Sequence, residues 1–382
     1  MRGWSSLWIS SLLWAQLKCP VDRAFMRLRP LSETSALHRL SEDTLWIPLV
    51  VHLIASNNQG FLPFSDVQRQ VEILNRDYKS AKIQFYLARR GPNGTPTCGI
   101  TYHVSSTLAD HNWETEEETL KRTTSWDPDS FLNIWVVENI TDDIIGYARP
   151  LDDAEGLAGV VILASVFGEG PSKREPYDKG RTAVHEVGHV FSLYHPFEGG
   201  CVGTTPATCA VEGDEVCDTP PQREATYGCP NPAPNTCQEI PTDQPDPIDN
   251  FMGYVDDDCM RRFTAGQISR MRLFLGTHGQ VLISPANQQV RGRNQSLPAS
   301  CAATAALAAP SPSWRLQRKG SLFSLEGPSA DYHLALWNLN GQLVRERLET
   351  PFSLEGLPPG LYVLQIRRME GSVYLRIPWL WE

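Results

Sequence analysis

The sequence predicts an α+β protein with a small C-terminal β-sandwich, and three observations lead to this prediction. Strand patterns alternate with helical patterns ahead of one helix that carries histidines, as expected for a mixed sheet backed by helices. Pro, Gly, Cys and Asp then dominate residues 196–249, where no periodicity remains. Short alternating runs separated by turn signals follow from residue 314 onwards, which is typical of a small β-sandwich. The chain has 382 residues, of which 41% are hydrophobic, so two domains can each bury a core.

The first half of the chain supplies the strands and the first helix of the sheet domain. Ser65 is a candidate N-cap, and Val67, Val71 and Leu74 share one face of the helix that follows it. Thr182 is a candidate cap ahead of the histidine-bearing helix. Apolar and β-branched runs predict four strands, at residues 45–54, 83–88, 131–137 and 159–164.

The histidine-bearing helix contains a pattern that predicts a catalytic metal site. His185 and His189 are four residues apart, so they lie on one helix face and can present two imidazoles to one ion. His195 follows after the helix must end and the chain turn back. Three imidazoles with one open position are typical of catalytic zinc, and Glu186 could then act as general base in peptide hydrolysis. A helix with three incidental histidines is the alternative.

The charge and the N-terminus restrict the class of protein. A net charge of −10 and a pI near 5.4 argue against a nucleic-acid-binding protein, which needs a basic face. No apolar run approaches the roughly 20 residues of a membrane span. Residues 1–15 place an apolar stretch after Arg2 and predict an export signal, with a disordered N-terminus or a misplaced start as the alternative.

The nine cysteines indicate disulfides and an oxidising compartment, because six of them crowd into one loop-rich region, residues 201–259, around the predicted zinc site. Eight would pair, which leaves Cys19 over. A thiolate at Cys19 can occupy the open zinc position and hold a protease inactive until residues 16–43 are removed. A cysteine that is merely unpaired is the alternative.

The irregular region 196–249 is too long to be ordered without staples or ions. Disulfides supply the staples, and carboxylates together with backbone carbonyls could bind calcium. The candidate ligands are Asp214, Glu215, Asp218 and the carbonyls around Thr219. A solvated acidic loop is the alternative.

Met252 and Tyr254 follow this region in the segment Asn-Phe-Met-Gly-Tyr. A methionine two residues before a tyrosine is a weak signal by itself. Together with the histidines it suggests that Met252 packs under the metal ligands and that the Tyr254 hydroxyl stabilises an oxyanion.

These motifs together resemble the metzincin metallopeptidases, and finer details are similar to the pappalysin branch and its ulilysin-like bacterial proteases. The resemblance covers residues 45–275 and has its motifs in the expected order. The segments that carry it are 132–137, 180–182, 195–201, 218–220, 250–254, 257–260 and 263–267.

The resemblance implies a metzincin catalytic domain: a mixed twisted sheet with a backing helix, an active-site helix and an irregular, disulfide-stapled lower subdomain. It implies zinc at the three histidines, Glu186 as general base, Met252 in a Met-turn and Tyr254 as transition-state stabiliser. Asp258 falls where relatives carry an acid that selects a basic side chain after the scissile bond, and Cys19 falls at the prosegment cysteine. The implied disulfides are Cys201–Cys237 and Cys229–Cys259, with Cys209–Cys217 and Cys98–Cys301 as the remaining pairs.

Three positions depart from the family pattern. Ser192 stands where the family has a glycine in a left-handed conformation, which costs a non-glycine residue about 1 to 2 kcal/mol. Cys217 interrupts the acidic run that precedes Asp218 in relatives, and Pro20 replaces the usual glycine beside Cys19.

The chain therefore divides into five predicted parts. They are a signal peptide (1–15), a prosegment (16–43), a zinc peptidase domain (44–283), a linker (284–312) and a β-sandwich (313–382). Residues 336–344 and 357–363 resemble the C-terminal sorting domain of type IX secretion. An accessory β-domain that binds substrate or carbohydrate is the alternative.

We therefore predict a secreted or cell-surface zinc endopeptidase, made as a zymogen by a Gram-negative bacterium. Its cofactors would be zinc and calcium, and its partners protein or peptide substrates and the type IX secretion machinery. We expect a monomer without a transmembrane segment that binds no nucleic acid. A surface binding protein or adhesin on a metzincin scaffold that has lost turnover is the alternative, because Ser192 departs from the pattern.

Overall fold

A computed structural model describes residues 43–57, 60–298, 301, 315–319, 322–326, 333–338, 342–358, 360–368 and 371–379. The predicted signal peptide, nearly all of the predicted prosegment and Cys19 lie outside these residues. None of the helices in the described ranges is long and apolar enough to span a membrane.

The described residues between 43 and 301, called the catalytic half here because they include the predicted peptidase domain, contain one mixed sheet. Its strands are β1 (Leu45–Ala55), β2 (Ile83–Leu87), β3 (Ile100–Val104), β5 (Leu132–Val137), β7 (Gly146–Arg149) and β8 (Gly159–Leu163). The strand order is β2-β1-β5-β8-β7, with β3 also paired to β1. All neighbours are parallel except β7, which runs antiparallel to β8 at one edge. A separate two-stranded pair joins β4 (Asp110–His111) to β6 (Asn139–Ile140).

The four strands expected from hydrophobic runs are present, and β1, β5 and β8 are almost wholly buried. Parallel strands covered on both faces are apolar throughout, which is why these runs were recognisable. Four further strands were not predicted. They are β3, β4, β6 and β7, which are short or half-polar.

Besides short 3₁₀ turns, six α-helices lie among the described residues of the catalytic half. They are α1 (Phe64–Asp77), α2 (Ser106–Ala109), α3 (Glu117–Thr124), α4 (Arg181–Val190), α5 (Ala265–His278) and α6 (Pro285–Val290). Helix α1 packs against α4, and α4 packs against β7 and β8. The active-site helix is therefore fixed between the sheet and a second helix.

Two predicted helix starts were wrong. Helix α1 begins at Phe64 with Pro63 at the N-cap, so Ser65 lies inside the helix. Helix α4 begins at Arg181 because Gly180 takes a left-handed conformation at its N-cap (φ 69°), and Thr182 lies inside the helix. A side chain at Gly180 would clash with Gln70, Ile73 and the carbonyl of Gly168, so close packing selects glycine there.

The first part of the predicted linker is docked on the catalytic half. The Asn287 side chain donates to the Ser130 carbonyl (2.9 Å), and the Arg291 guanidinium lies 4.4 Å from the centre of the Phe131 ring. Cys301 is buried in the main hydrophobic cluster. Residues 285–298 and 301 therefore belong structurally with the catalytic half, and residues 302–314 lie outside the described ranges.

The C-terminal part forms two antiparallel sheets, with orders β13-β10-β9 and β12-β11-β14-β15. Side chains from both sheets, among them Phe323, Phe352, Leu336 and Leu364, form one hydrophobic cluster. The strands are β9 (Arg315–Lys319), β10 (Leu322–Glu326), β11 (His333–Asn338), β12 (Leu343–Leu348), β13 (Phe352–Ser353), β14 (Gly360–Arg368) and β15 (Gly371–Trp379).

Candidate metal centre

Helix α4 and the turn after it bring the three predicted metal ligands together. His185 and His189 project from one face of α4, whose residues from Thr182 to Val190 are all buried. The helix ends at Val190 with Phe191 as its C-cap, and Ser192 takes a left-handed conformation (φ 74°). The Leu193 amide then bonds back to the Gly188 carbonyl (3.0 Å), which closes the turn and returns His195 towards the helix.

The three Nε2 atoms converge on one point. His185 lies 3.0 Å from His189 and 3.2 Å from His195, and His189 lies 3.1 Å from His195, measured between Nε2 atoms. A tetrahedral zinc ion about 2.0 to 2.1 Å from each nitrogen needs nitrogens roughly 3.3 Å apart, so the donor set fits zinc. Among the described residues this is the one cluster of three or more His, Cys, Asp or Glu side chains close enough to share an ion.

Two backbone carbonyls fix which nitrogen of each helix histidine is free. The Nδ1–H of His185 donates to the Phe251 carbonyl (2.8 Å), and the Nδ1–H of His189 donates to the Leu193 carbonyl (2.7 Å). Because each proton sits on Nδ1, the two Nε2 lone pairs face each other at the centre. A bound cation would satisfy these lone pairs.

Burial keeps the three imidazoles neutral, which is the form that binds a metal. It lowers the pKa of His185 to about 4, a shift that the hydrogen bond to Phe251 partly opposes. Burial, together with the neighbouring histidines, holds the pKa of His189 and of His195 well below the usual range.

Glu186 is buried beside the triad under strand β7. A side-chain carbon at Gly146 would lie 3.1 Å from Glu186 Cγ and 3.2 Å from its Oε1. The missing side chain of Gly146 therefore makes room for the Glu186 carboxylate, a requirement that the sequence pattern did not reveal.

Met252 lies directly beneath α4. It is fully buried, and a side chain at Gly188 would overlap its sulfur atom. The Met252 amide donates to Asn250 Oδ1 (2.9 Å), and Asn250 exchanges two hydrogen bonds with the Gln267 amide of α5 (2.9 and 3.1 Å). This buried amide pair holds the turn under the metal ligands and was not predicted.

Aromatic rings wall the other side of the triad. The Tyr254 ring centre lies 4.9 Å from the His195 ring and 5.7 Å from the His185 ring. Phe197 stacks on His195 at 4.6 Å and contacts Tyr254 at 4.9 Å. The structure thus places Tyr254 at the site, and it adds Phe197 as a packing partner of the third ligand.

The described residues form four disulfides, and three of them lie between α4 and α5. They join Cys201 to Cys237, Cys209 to Cys217, Cys229 to Cys259, and Cys98 to Cys301. The resemblance implied the first and third of these pairs, and the other two are the pairs expected for the remaining cysteines. The last bond ties the docked extension to the catalytic half.

The candidate calcium ligands differ in exposure and in their hydrogen bonds. Asp214 is buried; its Oδ1 accepts from the Val216 amide (3.0 Å), and its Oδ2 has no hydrogen-bond partner among the described residues. Burial raises the pKa of Asp214 to about 7. Asp218 is exposed and accepts from the Gly266 amide (2.8 Å), whereas Thr219 is buried and lies 3.4 Å from Thr264 between hydroxyl oxygens.

The predicted specificity residue is a surface carboxylate. The Asp258 side chain is 75% exposed and pairs with Lys179 (2.7 Å), whose hydrogen bond lowers the Asp258 pKa. The neighbouring Asp257 is buried, and its Oδ2 accepts from the Lys179 and Arg181 amides (2.8 and 3.3 Å). Its Oδ1 has no hydrogen-bond partner within the described ranges.

Relatives of this chain are named as metalloproteases. A family model described as pregnancy-associated plasma protein-A (Peptidase_M43) matches residues 114–276, which include the three histidines and Tyr254. An extracellular metalloprotease of Pyricularia oryzae is 35% identical over 237 residues, which are 60% of this chain and 75% of that protein. One from Arthroderma otae is 30% identical over 259 residues, covering 65% and 83% of the two chains.

Solved structures show the same fold. A promirolysin mutant of Tannerella forsythia superposes with a TM-score of 0.56 at 30% identity, covering 69% of this chain and 91% of that one. Mature mirolysin in complex with a cleaved peptide gives a TM-score of 0.53 at 32% identity, covering 64% and 100%. The fold and the site together define a metalloendopeptidase on a mixed α/β, metzincin-like domain. The chain belongs to the pregnancy-associated plasma protein-A family of peptidases, the pappalysin-like metalloproteases.

Proposed function

We propose that the protein is a secreted zinc endopeptidase in which Glu186 is the general base of peptide hydrolysis. The observation that carries this proposal is the convergence of three neutral imidazole nitrogens, 3.0 to 3.2 Å apart, beside a buried carboxylate. Three histidines form an open zinc site rather than a closed structural one.

Each residue of the site would have a distinct role in the reaction. His185, His189 and His195 would hold zinc, which when bound acidifies a water molecule and polarises a substrate carbonyl. The Glu186 carboxylate takes a proton from the attacking water and returns it to the leaving amine. The Tyr254 hydroxyl donates a hydrogen bond to the carbonyl oxygen as negative charge develops there. Met252 supports the ligands from below.

The test is cleavage of casein by the processed wild type and by Glu186→Ala, each with its zinc content measured. We expect Glu186→Ala to retain zinc and to lose activity by at least 10³-fold, because a base and its electrostatic support are removed together. A chelator should abolish wild-type cleavage. The control is Glu72→Gln, an exposed carboxylate on α1 paired with Arg69. If the processed wild type holds zinc and cuts nothing, the binding-protein alternative takes its place.

We further propose a preference for Arg or Lys after the scissile bond, selected by Asp258. The proposal is supported by the position of the Asp258 carboxylate, which is close in sequence to Tyr254 and already pairs with a basic side chain, that of Lys179. The cut sites of Asp258→Asn and Asp257→Asn should be mapped by mass spectrometry against the wild type. Loss of the basic preference in Asp258→Asn alone supports the proposal. Loss in Asp257→Asn alone would move the role to the buried carboxylate.

We propose that the protein is made as a zymogen in which Cys19 blocks zinc. The solved relative described as promirolysin, beside a mature form, supports a pro-form in the family. Cys19→Ser should yield a precursor that cleaves casein before processing, whereas the wild-type precursor should not. An inactive Cys19→Ser precursor would remove the role of the thiolate.

We also propose a calcium site at Asp214, Asp218 and Thr219. The buried Asp214 oxygen without a hydrogen-bond partner among the described residues supports it, because such an oxygen can ligate a hard cation. Adding calcium to calcium-free protein should raise the melting temperature of the wild type but not that of Asp214→Asn. An equal rise in both would place the ion elsewhere.

The C-terminal sheets are proposed to form a β-sandwich that directs type IX secretion from a Gram-negative cell, with the catalytic part acting as a monomer. The shared hydrophobic cluster of the two sheets and the sorting-domain motifs support this. Deleting residues 313–382 should leave the protease inside cells that possess the secretion system, and normal export of the deletion variant would contradict the proposal.

A further inference from the structure

Arg270 on α5 joins two parts of the molecule that the proposed chemistry does not otherwise connect. Its Nε donates to the Ser192 carbonyl (2.7 Å), and its Nη2 pairs with Glu215 Oε2 (2.9 Å). The guanidinium also lies 5.2 Å from the centre of the Tyr194 ring. One side chain therefore contacts the turn after the active-site helix and the irregular region below it.

The turn that Arg270 holds determines the position of two metal ligands. Ser192 occupies a left-handed conformation that is unfavourable for a non-glycine residue (φ 74°). The next carbonyl, that of Leu193, orients His189 through its Nδ1, and His195 follows two residues later. A shift of the Ser192 carbonyl would therefore move the orientation of His189 and the position of His195 together.

Arg270 thus forms a bridge between the Ser192 carbonyl and Glu215, and the Glu215 end of this bridge is also fixed. Glu215 lies in a short loop closed by the Cys209–Cys217 disulfide, whose cysteines are eight residues apart. Only 12% of the Arg270 side chain and 27% of the Glu215 side chain are exposed, so solvent screens this pair less than a surface ion pair. The disulfide loop thus limits where the Arg270 guanidinium can lie.

We propose that Arg270 is a positioning residue of the metal centre, which it links through Glu215 to the Cys209–Cys217 loop. Arg270 binds the Ser192 carbonyl and packs on Tyr194, and this contact holds residues 192–195 in the geometry at which the three Nε2 atoms converge. The inference rests on the proposed zinc site. Its principal readout is metal retention, which does not require peptidase activity.

The experiment compares two arginines of the same helix. Arg270→Gln removes the charged contact with Glu215, and Arg270→Lys keeps the charge but cannot contact both Ser192 and Glu215 with separate nitrogens. Arg272→Gln is the matched control, because Arg272 is also largely buried and binds the carbonyls of Asp43, Ala81 and Lys82, away from the ligand turn. Zinc-loaded protein is mixed with a chelating dye and the rate of zinc transfer is recorded. The visible absorption spectrum of cobalt-loaded protein reports ligand geometry.

We expect Arg270→Gln to lose zinc about 10 to 100 times faster than the wild type, as found for residues that orient metal ligands. The spectrum of its cobalt-loaded form should differ from that of the wild type. Arg270→Lys should have a zinc-loss rate and a spectrum between those of the wild type and Arg270→Gln. Arg272→Gln should lower the melting temperature yet keep the wild-type zinc-loss rate and spectrum. Wild-type rates in the folded Arg270 variants, or equal acceleration in Arg272→Gln, would overturn the inference. A wild type that binds no zinc would instead refute the proposed function.

A second set of variants tests the far end of the bridge. Glu215→Gln, and the double variant Cys209→Ser with Cys217→Ser, leave Arg270 in place and remove its support. Both should accelerate zinc loss, by less than Arg270→Gln, and should add little when combined with it. These variants also serve if Arg270→Gln does not fold. Unchanged zinc loss in both, or effects that multiply fully with Arg270→Gln, would contradict the link to the disulfide loop.

Discussion

The sheet half of the catalytic part, residues 43–190, and the loop half, residues 191–263, hold the site by different means. In the sheet half β1, β5 and β8 are almost fully buried, and α4 packs against β7 and β8. The loop half contains no helix and only an isolated bridge between Asn250 and Arg262. Three disulfides and individual polar contacts hold it instead.

This difference separates stability from site geometry. Burial of apolar side chains is spread over many residues, so the loss of one lowers the free energy of unfolding without redirecting a particular atom. Particular polar contacts of the loop half, such as those of Asn250 and of the Leu193 carbonyl, fix a defined atom near a metal ligand. We therefore expect substitutions in the sheet half to affect folding most and those in the loop half to affect the metal centre most.

The largest loss of stability is expected from Ile134→Ala in β5. Ile134 is fully buried between β1 and β8, so its removal leaves a cavity and should cost about 2 to 5 kcal/mol in urea unfolding. The folded fraction should keep wild-type zinc affinity. Val104→Ala, at an exposed position on β3, should change stability by less than about 0.5 kcal/mol. A loss of zinc affinity in folded Ile134→Ala would erase the contrast between the halves.

Asn250→Ala should differ from Ile134→Ala by weakening zinc binding in the folded protein. It leaves the Met252 amide and the Gln267 Nε2 without their shared acceptor, Asn250 Oδ1, at a cost of about 1 to 3 kcal/mol. Because Met252 then loses its anchor under α4, zinc affinity should fall about 10-fold. Asn235→Ala removes an exposed contact with Asp243 in the same half and serves as the control. Equal zinc binding by both variants would show that the amide pair has no role in the site.

The comparison also explains what the sequence revealed. The buried strands and the spacing of His185 and His189 follow local periods, so both were predictable. The packing of Met252 under the helix was suggested by the Met-Gly-Tyr segment together with the histidines, and by the resemblance. The missing side chains at Gly146 and Gly188 were not predicted, because they make room for side chains that are distant in sequence. Likewise the Asn250–Gln267 pair and the Phe197 stack depend on packing that no local pattern encodes.

The buried carboxyl group of Asp257, in the loop half, should make the stability of the protein depend on pH. Burial raises its pKa to about 6, although the Lys179 and Arg181 amides and the Arg181 charge oppose the shift. The unfolded pKa is about 3.9, so the folded protein binds the proton more tightly. The contribution of this group to stability is therefore full below about pH 4 and is lost as the pH rises through about 6.

Asp257→Asn should remove this loss. Relative to the wild type, its free energy of unfolding should improve by about 2 kcal/mol between pH 4 and pH 7, because Asn keeps an acceptor for the two amides and carries no charge. Urea unfolding of both proteins at each pH gives the difference, in which the other titrating groups cancel. A difference that is constant with pH would mean that Asp257 titrates near its ordinary value.

The smallest effect is expected at the junction of the two halves, from Ser192→Gly. Ser192 is buried at φ 74°, and its hydroxyl has no hydrogen-bond partner among the described residues. Glycine adopts the positive φ without strain and has no hydroxyl to leave unpaired. The melting temperature should therefore rise by about 2 to 4 °C, which corresponds to about 1 kcal/mol. Ser192→Ala removes the hydroxyl but keeps the strained backbone, so calorimetry of the two variants separates the contributions. Because glycine keeps the carbonyl that Arg270 binds, zinc retention should be unchanged. If Ser192→Gly instead lost zinc faster, serine would be restraining the ligand turn at this position.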